Sequence, residues 1–312
     1  MADLLTHIIL ADAVSQRIES RRILEGVTQK RSLYYLGAQG PDPLFYYNFS
    51  RRDKGVLKGL GDRMHREKTG EFLHYGFSRL QNTSYDKAWT DLAVYLCGFI
   101  CHFTLDRILH PYVCWACDKW IWAMDGTPCT VSHSQVEMQL DVLLWEEKKN
   151  IPPYRVRTRG LVDIGPEWPQ SVMSFLKDAF LEIYGIEAGQ KEMNKILSDF
   201  YRGNDMLYDP RGWKKVLVGW LEGLTGGGLK PPKHPYPVSP NTGIDWANRK
   251  KRTWYNPFAE GENFNASADE ILEDAAGLAS QYMNVLFARI FKGGAIDDLF
   301  QNLSYITGAA CE

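Results

Sequence analysis

Residues 88–110 read AWTDLAVYLCGFICHFTLDRILH, and the fold turns on how this stretch is read. From Ala88 to Leu109 apolar side chains fall on nearly every face of a 3.6-residue period. That pattern marks a helix buried all round, not one lying at a surface. His102 and Asp106 are polar groups set into that interior, one turn apart and on one face, with about 5–6 Å between their Cβ atoms. An unpaired buried charge costs several kcal/mol, and a bound cation is one of few ways to offset it. Pro111 follows His110 and disfavours helical geometry before it, so the helix is expected to end at His110. His102 and His110 stand about 12 Å apart along the axis, too far to share one metal, so two ions are implied.

Working outward, His133 and Glu137 repeat the four-residue spacing and form a second candidate pair. Apolar spacing is helical elsewhere too, as in Leu5/Ile8/Ile9 and in Val172/Phe175/Leu176/Phe180. The expectation is an all-α protein, a single multi-helix bundle over residues 1–312. Residues 1–145 carry the candidate ligands and 146–312 complete the fold. Loops are expected at 37–48, 152–169 and 226–240, and helix from Asp245 to about Lys292, with Ser267 to Glu270 as a capping box.

The chain has 36 Lys+Arg against 38 Asp+Glu, a net charge of −2, which is no electrostatic footprint for nucleic acid. The start lacks a basic leader, and the apolar run from Leu92 to Phe103 is shorter than the roughly 20 residues that span a bilayer, so a cytoplasmic protein without a transmembrane segment is expected. Six cysteines in such a chain read as reduced thiols, including the C-x-x-C of Cys114 and Cys117.

Further candidates are single residues. Asp42 lies in Gly40-Pro41-Asp42-Pro43, where two prolines are expected to hold its backbone extended. His7 follows Asp3 by one turn, and His65 sits near the start of another helix. Asp141, one turn past Glu137, is either an acceptor for a ligand histidine or a surface acid. His74 and His234 have no carboxylate at ligand spacing and are left as structural. Phe45, Tyr46, Tyr47, Tyr112, Trp115, Trp120 and Trp122 flank the ligand segments; rings at this density belong to a core more often than to a cage for a quaternary ammonium group.

In this order, His7, Gly-Pro-Asp42-Pro, His65, His102-x3-Asp106-x3-His110-Pro and His133-x3-Glu137 resemble the zinc-dependent phospholipase C family over about residues 1–145. The resemblance implies an all-helical fold holding two or three zinc ions in a cleft. One ion would take Asp42, His65 and His102; a second His110, His133 and Glu137; a third His7 with Asp106, which would bridge to the first. Asp3 is a possible further ligand of the third. The attacking water would be activated by Asp42 or between the first and third ions, and the substrate would be a phosphodiester or phospholipid head group. The competing readings are a nuclease or phosphomonoesterase with the same metals, and a non-catalytic helical binding protein stabilised by zinc. The sequence leaves the oligomeric state open.

Overall fold

The computed structural model describes residues 4–51, 55–118, 121–122, 128–211, 213–214, 236–237 and 241–311. Asp3, Trp120, His234, the side chain of Trp122 and the expected 226–240 loop, apart from its residues 236–237, lie outside the described residues. Among the described residues most of the chain is helical. The helices are α1 (Leu4–Ser15), α2 (Arg21–Gln29), α3 (Arg31–Gly37), α4 (Pro43–Tyr46), α5 (Leu60–Arg66), α6 (Thr69–Gln81), α7 (Lys87–Asp118), α8 (His133–Lys149), α9 (Thr158–Val162), α10 (Gln170–Tyr184), α11 (Gln190–Leu207) and α12 (Ala268–Lys292). Two antiparallel ribbons join them, β1 (Ile121–Trp122) with β2 (Pro128–Cys129) and β3 (Trp254–Tyr255) with β4 (Asn263–Phe264).

Helix α7 is the axis of the bundle, and α1, α2, α3, α6, α8, α10 and α12 all pack against it. Leu96, Cys97, Ile100, Cys101, Phe103 and Leu105 are closed to solvent, which places burial on every face of α7. Each large apolar side chain so enclosed contributes about 1.5–3 kcal/mol. By length and composition alone α7 could cross a membrane, yet 94% of its most apolar window is buried inside the protein. Its apolarity is that of a core helix. Closest to it lies α3: a Cβ on Gly98 would run into the Tyr34 carbonyl, and one on Gly37 into the Tyr95 carbonyl, so the two backbones touch where both side chains are absent.

Two expectations about element ends are corrected. Helix α7 does not stop at His110 but carries Pro111 in its interior and continues to Asp118. Proline removes one ladder bond, to the Arg107 carbonyl, and packing outweighs that loss: Tyr112 and Val113 are buried, and the Tyr112 hydroxyl donates to the Trp246 carbonyl at 2.8 Å. Residues 245–267 are turns and the β3–β4 ribbon, not helix. Asn248 and Lys251 there adopt positive φ, and the Asn248 amide bonds the Arg252 carbonyl at 2.9 Å, closing a turn in place of a helical ladder. The Ser267 capping box does start α12, with the Ser267 N–H donating to Glu270 at 2.9 Å. In the expected loops at 37–48 and 152–169 stand the short helices α4 and α9 and a 3-10 turn, Pro153–Arg155.

Candidate metal centre

Each candidate ligand owes its position to a local feature of the chain. His7 lies in the first turns of α1, whose opening amides are received by Asp141 of α8: Leu5 N–H at 3.0 Å, Thr6 N–H at 2.7 Å and the Thr6 hydroxyl at 2.6 Å. The Tyr236 hydroxyl donates to the same carboxylate at 2.7 Å. Asp141 is therefore no surface acid; it is fully buried and caps the helix that delivers His7.

Asp42 departs from expectation in its backbone. Its φ of −54° and ψ of −37° are right-handed helical, not extended. Consecutive tight turns impose this, with Asp42 N–H donating to the Gln39 carbonyl and Phe45 N–H to the Asp42 carbonyl, both at 3.0 Å. Pro43 takes the first position of α4, where its missing N–H has no partner to lose. Gly40 turns with φ +52°, and a Cβ there would fall inside the His102 ring. The Gly-Pro-Asp-Pro motif thus brings bare backbone against the imidazole of a candidate ligand and Asp42 beside it.

His65 stands at the end of α5 with its Nδ1 2.7 Å from the Gly61 carbonyl, and His110 on α7 with its Nδ1 3.0 Å from the Tyr305 carbonyl. A carbonyl can only accept, so each Nδ1 carries the proton and each Nε2 presents its lone pair to the cluster. His133 opens α8 directly after a capping box in which Gln135 N–H donates to the Ser132 hydroxyl at 3.3 Å and Ser132 N–H to the Gln135 side chain at 2.8 Å. Glu137 follows one turn later on the same face.

These eight side chains gather into two adjoining groups. In the first, His65 Nε2 lies 3.2 Å from Asp42 Oδ1 and 3.7 Å from Asp106 Oδ2, and His102 Nε2 lies 3.4 Å from Asp106 Oδ2. In the second, Glu137 Oε1 lies 3.5 Å from His110 Nε2 and 2.9 Å from His133 Nε2. His7 stacks on His102 with ring centroids 4.7 Å apart and puts its Nε2 3.3 Å from Asp106 Oδ1 and 3.9 Å from Asp42 Oδ2. Asp106 is thus shared, one oxygen toward His7 and the other toward His65 and His102. Donors held about 2.0–2.1 Å from one tetrahedral zinc stand about 3.3–3.4 Å apart. Most of the measured spacings cluster around that value.

Electrostatics makes the same point. Burial pushes the His7 imidazole down to about 4 and that of His110 to about 3, and holds His102 well below its ordinary 6.5. Burial, with the nearby Asp42 carboxylate, pushes the Asp106 carboxyl well above its ordinary 3.8. The Nε2 lone pairs of His65 and His110 then face oxygens of Asp42 and Glu137, acceptor against acceptor. Nine buried nitrogen and oxygen atoms of His7, Asp42, His65, His102, Asp106 and His110 have no hydrogen-bond partner. Buried polar atoms are seldom left so, and a divalent cation in each group would satisfy seven of the nine, all but His7 Nδ1 and His102 Nδ1, because an imidazole offers an ion one nitrogen.

Other flagged residues have different roles. His74 Nε2 lies 3.0 Å from the Phe300 carbonyl, a structural bond away from the clusters. Tyr46 packs on Phe200, and Tyr112 with Trp115 on Trp254, so these rings belong to the core. Phe45 lies against a candidate ligand, its ring 5.3 Å from that of His65. No disulfide joins any of the six cysteines, and Cys114 Sγ lies 4.0 Å from His133 Nδ1. The carbonyls of Gly61 and Tyr305 went unnoticed in the sequence. The first shares the four-residue spacing of a helical turn with His65, whereas nothing local to Tyr305 points to His110.

The family model described as zinc dependent phospholipase C matches residues 6–186. No curated protein and no solved structure matches the chain. The match covers the eight candidate ligands of the two groups and, with the buried histidine and aspartate cluster, supports a metal-dependent hydrolase that uses zinc. More than half of the chain lies within it, and the protein belongs to the zinc-dependent phospholipase C family.

Proposed function

We propose that the protein is a phosphodiesterase of the phospholipase C type, which hydrolyses the ester between the phosphate and the diglyceride of a phospholipid with two or three zinc ions in the centre described above. The donor set carries this reading: Asp42, His65, His102 and Asp106 in one group, His110, His133 and Glu137 in the other, each with its donor atoms within 4.8 Å of one another. Bound zinc supplies Lewis acidity, which brings the ionisation of water to near-neutral pH and offsets charge on phosphoryl oxygens.

The chain's own residues divide the remaining work. Asp106, His7 and His102 are wholly closed to solvent and hold position, whereas the side chains of Asp42 and His133 are 9% and 37% exposed. The substrate phosphate therefore approaches along the side where Asp42 and His133 lie. Asp42, the carboxylate of the first group with solvent access, takes the proton of the attacking water. The water oxygen forms the new bond to phosphorus, the bond to the diglyceride oxygen breaks, and that oxygen leaves with a proton as an alcohol. Burial of His7, His102 and His110 excludes bulk water there and keeps these imidazoles unprotonated. A net charge of −2 speaks against nucleic acid as substrate, and six cysteines with no disulfide among them fit a reducing compartment such as the cytoplasm.

The test sets a phosphocholine phospholipid, a soluble phosphodiester, a phosphomonoester and single-stranded DNA beside one another, with zinc-loaded wild type and Asp42→Asn. Diester turnover is expected, falling about 100-fold or more in the variant. Turnover of DNA or monoester alone would assign another substrate. No turnover of any of them, in protein that holds zinc, would make the metals structural.

A further inference from the structure

The matched region ends at residue 186, yet a segment more than a hundred residues later touches the centre. Residues 302–311 fold back on themselves: Cys311 N–H donates to the Asn302 carbonyl at 2.9 Å and Ser304 N–H to the Ala309 carbonyl at 2.8 Å. This strap is tied down beside the ligands. The Thr69 hydroxyl donates to the Leu303 carbonyl at 2.7 Å, and Tyr305 N–H to the carbonyl of His65 itself at 2.8 Å.

Three contacts reach the cluster. The Tyr305 carbonyl accepts from His110 Nδ1–H at 3.0 Å; Asp106 Oδ2 is the other acceptor near that nitrogen, at 3.4 Å. The Tyr305 ring lies 5.1 Å from His102 and 5.5 Å from His65, edge-on to both, and is buried. Gly308, with φ +70°, backs onto α7 where a Cβ would stand 2.6 Å from the Arg107 carbonyl. That carbonyl is the one Pro111 leaves without a helical donor. The interruption in α7 and the glycine of the strap thus meet at one point, one turn from His110.

We propose that the strap is a working part of the metal centre and that Tyr305 is a positioning residue. Its carbonyl fixes the His110 tautomer, its ring closes the wall behind His65 and His102, and zinc occupancy and strap docking stabilise each other. The inference rests on the zinc reading and adds to it a dependence on residues outside the matched region. Partners of this outer kind change metal affinity by about 10–100-fold, and by linkage the same factor applies to docking of the strap.

The test needs no activity. Zinc retention against a competing chelator is measured for wild type, Gly308→Ala, Tyr305→Ala and Tyr305→Phe. Gly293→Ala is the control, because Gly293 has a similar φ of +69° with nothing within 4 Å of a Cβ. Gly308→Ala and Tyr305→Ala are expected to lose zinc about 10–100-fold more readily, while Tyr305→Phe and Gly293→Ala hold it as wild type does. Nitrogen-15 spectra of the His110 ring should report the Nδ1–H tautomer in wild type and its loss in Gly308→Ala. In the unaltered protein, hydrogen exchange at residues 302–311 should quicken on chelation, which keeps the inference testable if a variant does not fold. Zinc-loaded wild type whose strap exchange ignores the metal, or Gly308→Ala with wild-type zinc retention, overturns this inference alone. Wild type that takes up no zinc overturns it together with the zinc reading.

Discussion

Asp106 is a carboxylate that the folded chain tolerates poorly by itself, wholly buried and with Asp42 close by. Asp106→Asn should therefore leave the metal-free protein as stable as wild type or more so, while abolishing the rise in melting temperature that zinc gives. Calorimetry with and without zinc checks both halves, and a full zinc response in the variant would contradict the account. Titration of the metal-free protein gives a second expectation. His7 and His110 are held down to about 4 and about 3 by burial and return toward 6.5 on unfolding. As the pH falls from about 6.5 toward 4 the unfolded chain gains protons that the folded chain refuses, so stability is lost in that window. Asp106, raised in the fold, works in the opposite sense, but three imidazoles oppose one carboxyl. The melting temperature of chelator-treated protein should fall between about pH 7 and pH 5, and a flat profile would contradict the assignment of neutral imidazoles.

At the scale of elements, the centre depends on how helices are started and how closely they approach. Asp141 receives three donors from the first turn of α1 and one from Tyr236. Asp141→Ala should cost about 3 kcal/mol, since it leaves buried donors without a partner. It should also weaken zinc binding through His7, read by denaturant midpoint and metal content together; an unchanged midpoint would contradict the capping role. Gly98→Ala should cost about 1–3 kcal/mol, because its Cβ would meet the Tyr34 carbonyl and α3 must move away from α7. What the sequence made legible follows the same lines. The all-round apolar pattern of α7, the four-residue spacings of His102/Asp106 and His133/Glu137 and the Ser267 box are local, so period and cap chemistry reveal them. The end foreseen at His110 was wrong because packing of Tyr112 and Val113 outweighs one lost bond, and Asp42 is helical because the turns around it outweigh the bias from Pro43. Asp141 and Tyr305 act across 135 and 195 residues, a separation at which no periodicity carries information.

For the molecule as a whole, histidines and carboxylates from α1, α5, α7, α8 and the turn before α4 meet inside a helical bundle, and their mutual spacing asks for cations. Removing zinc should therefore loosen the whole bundle. A linkage of about 4 kcal/mol at a thousandfold excess over the dissociation constant is expected per ion, read as a fall in melting temperature on chelation that added zinc restores. No change on chelation would mean that the bundle holds the clusters without metal. The most direct measurement is an anomalous difference map collected at the zinc absorption edge from crystals of zinc-loaded protein. The account predicts one peak amid Asp42, His65, His102 and Asp106 and another amid His110, His133 and Glu137. A map without density at either place would contradict it.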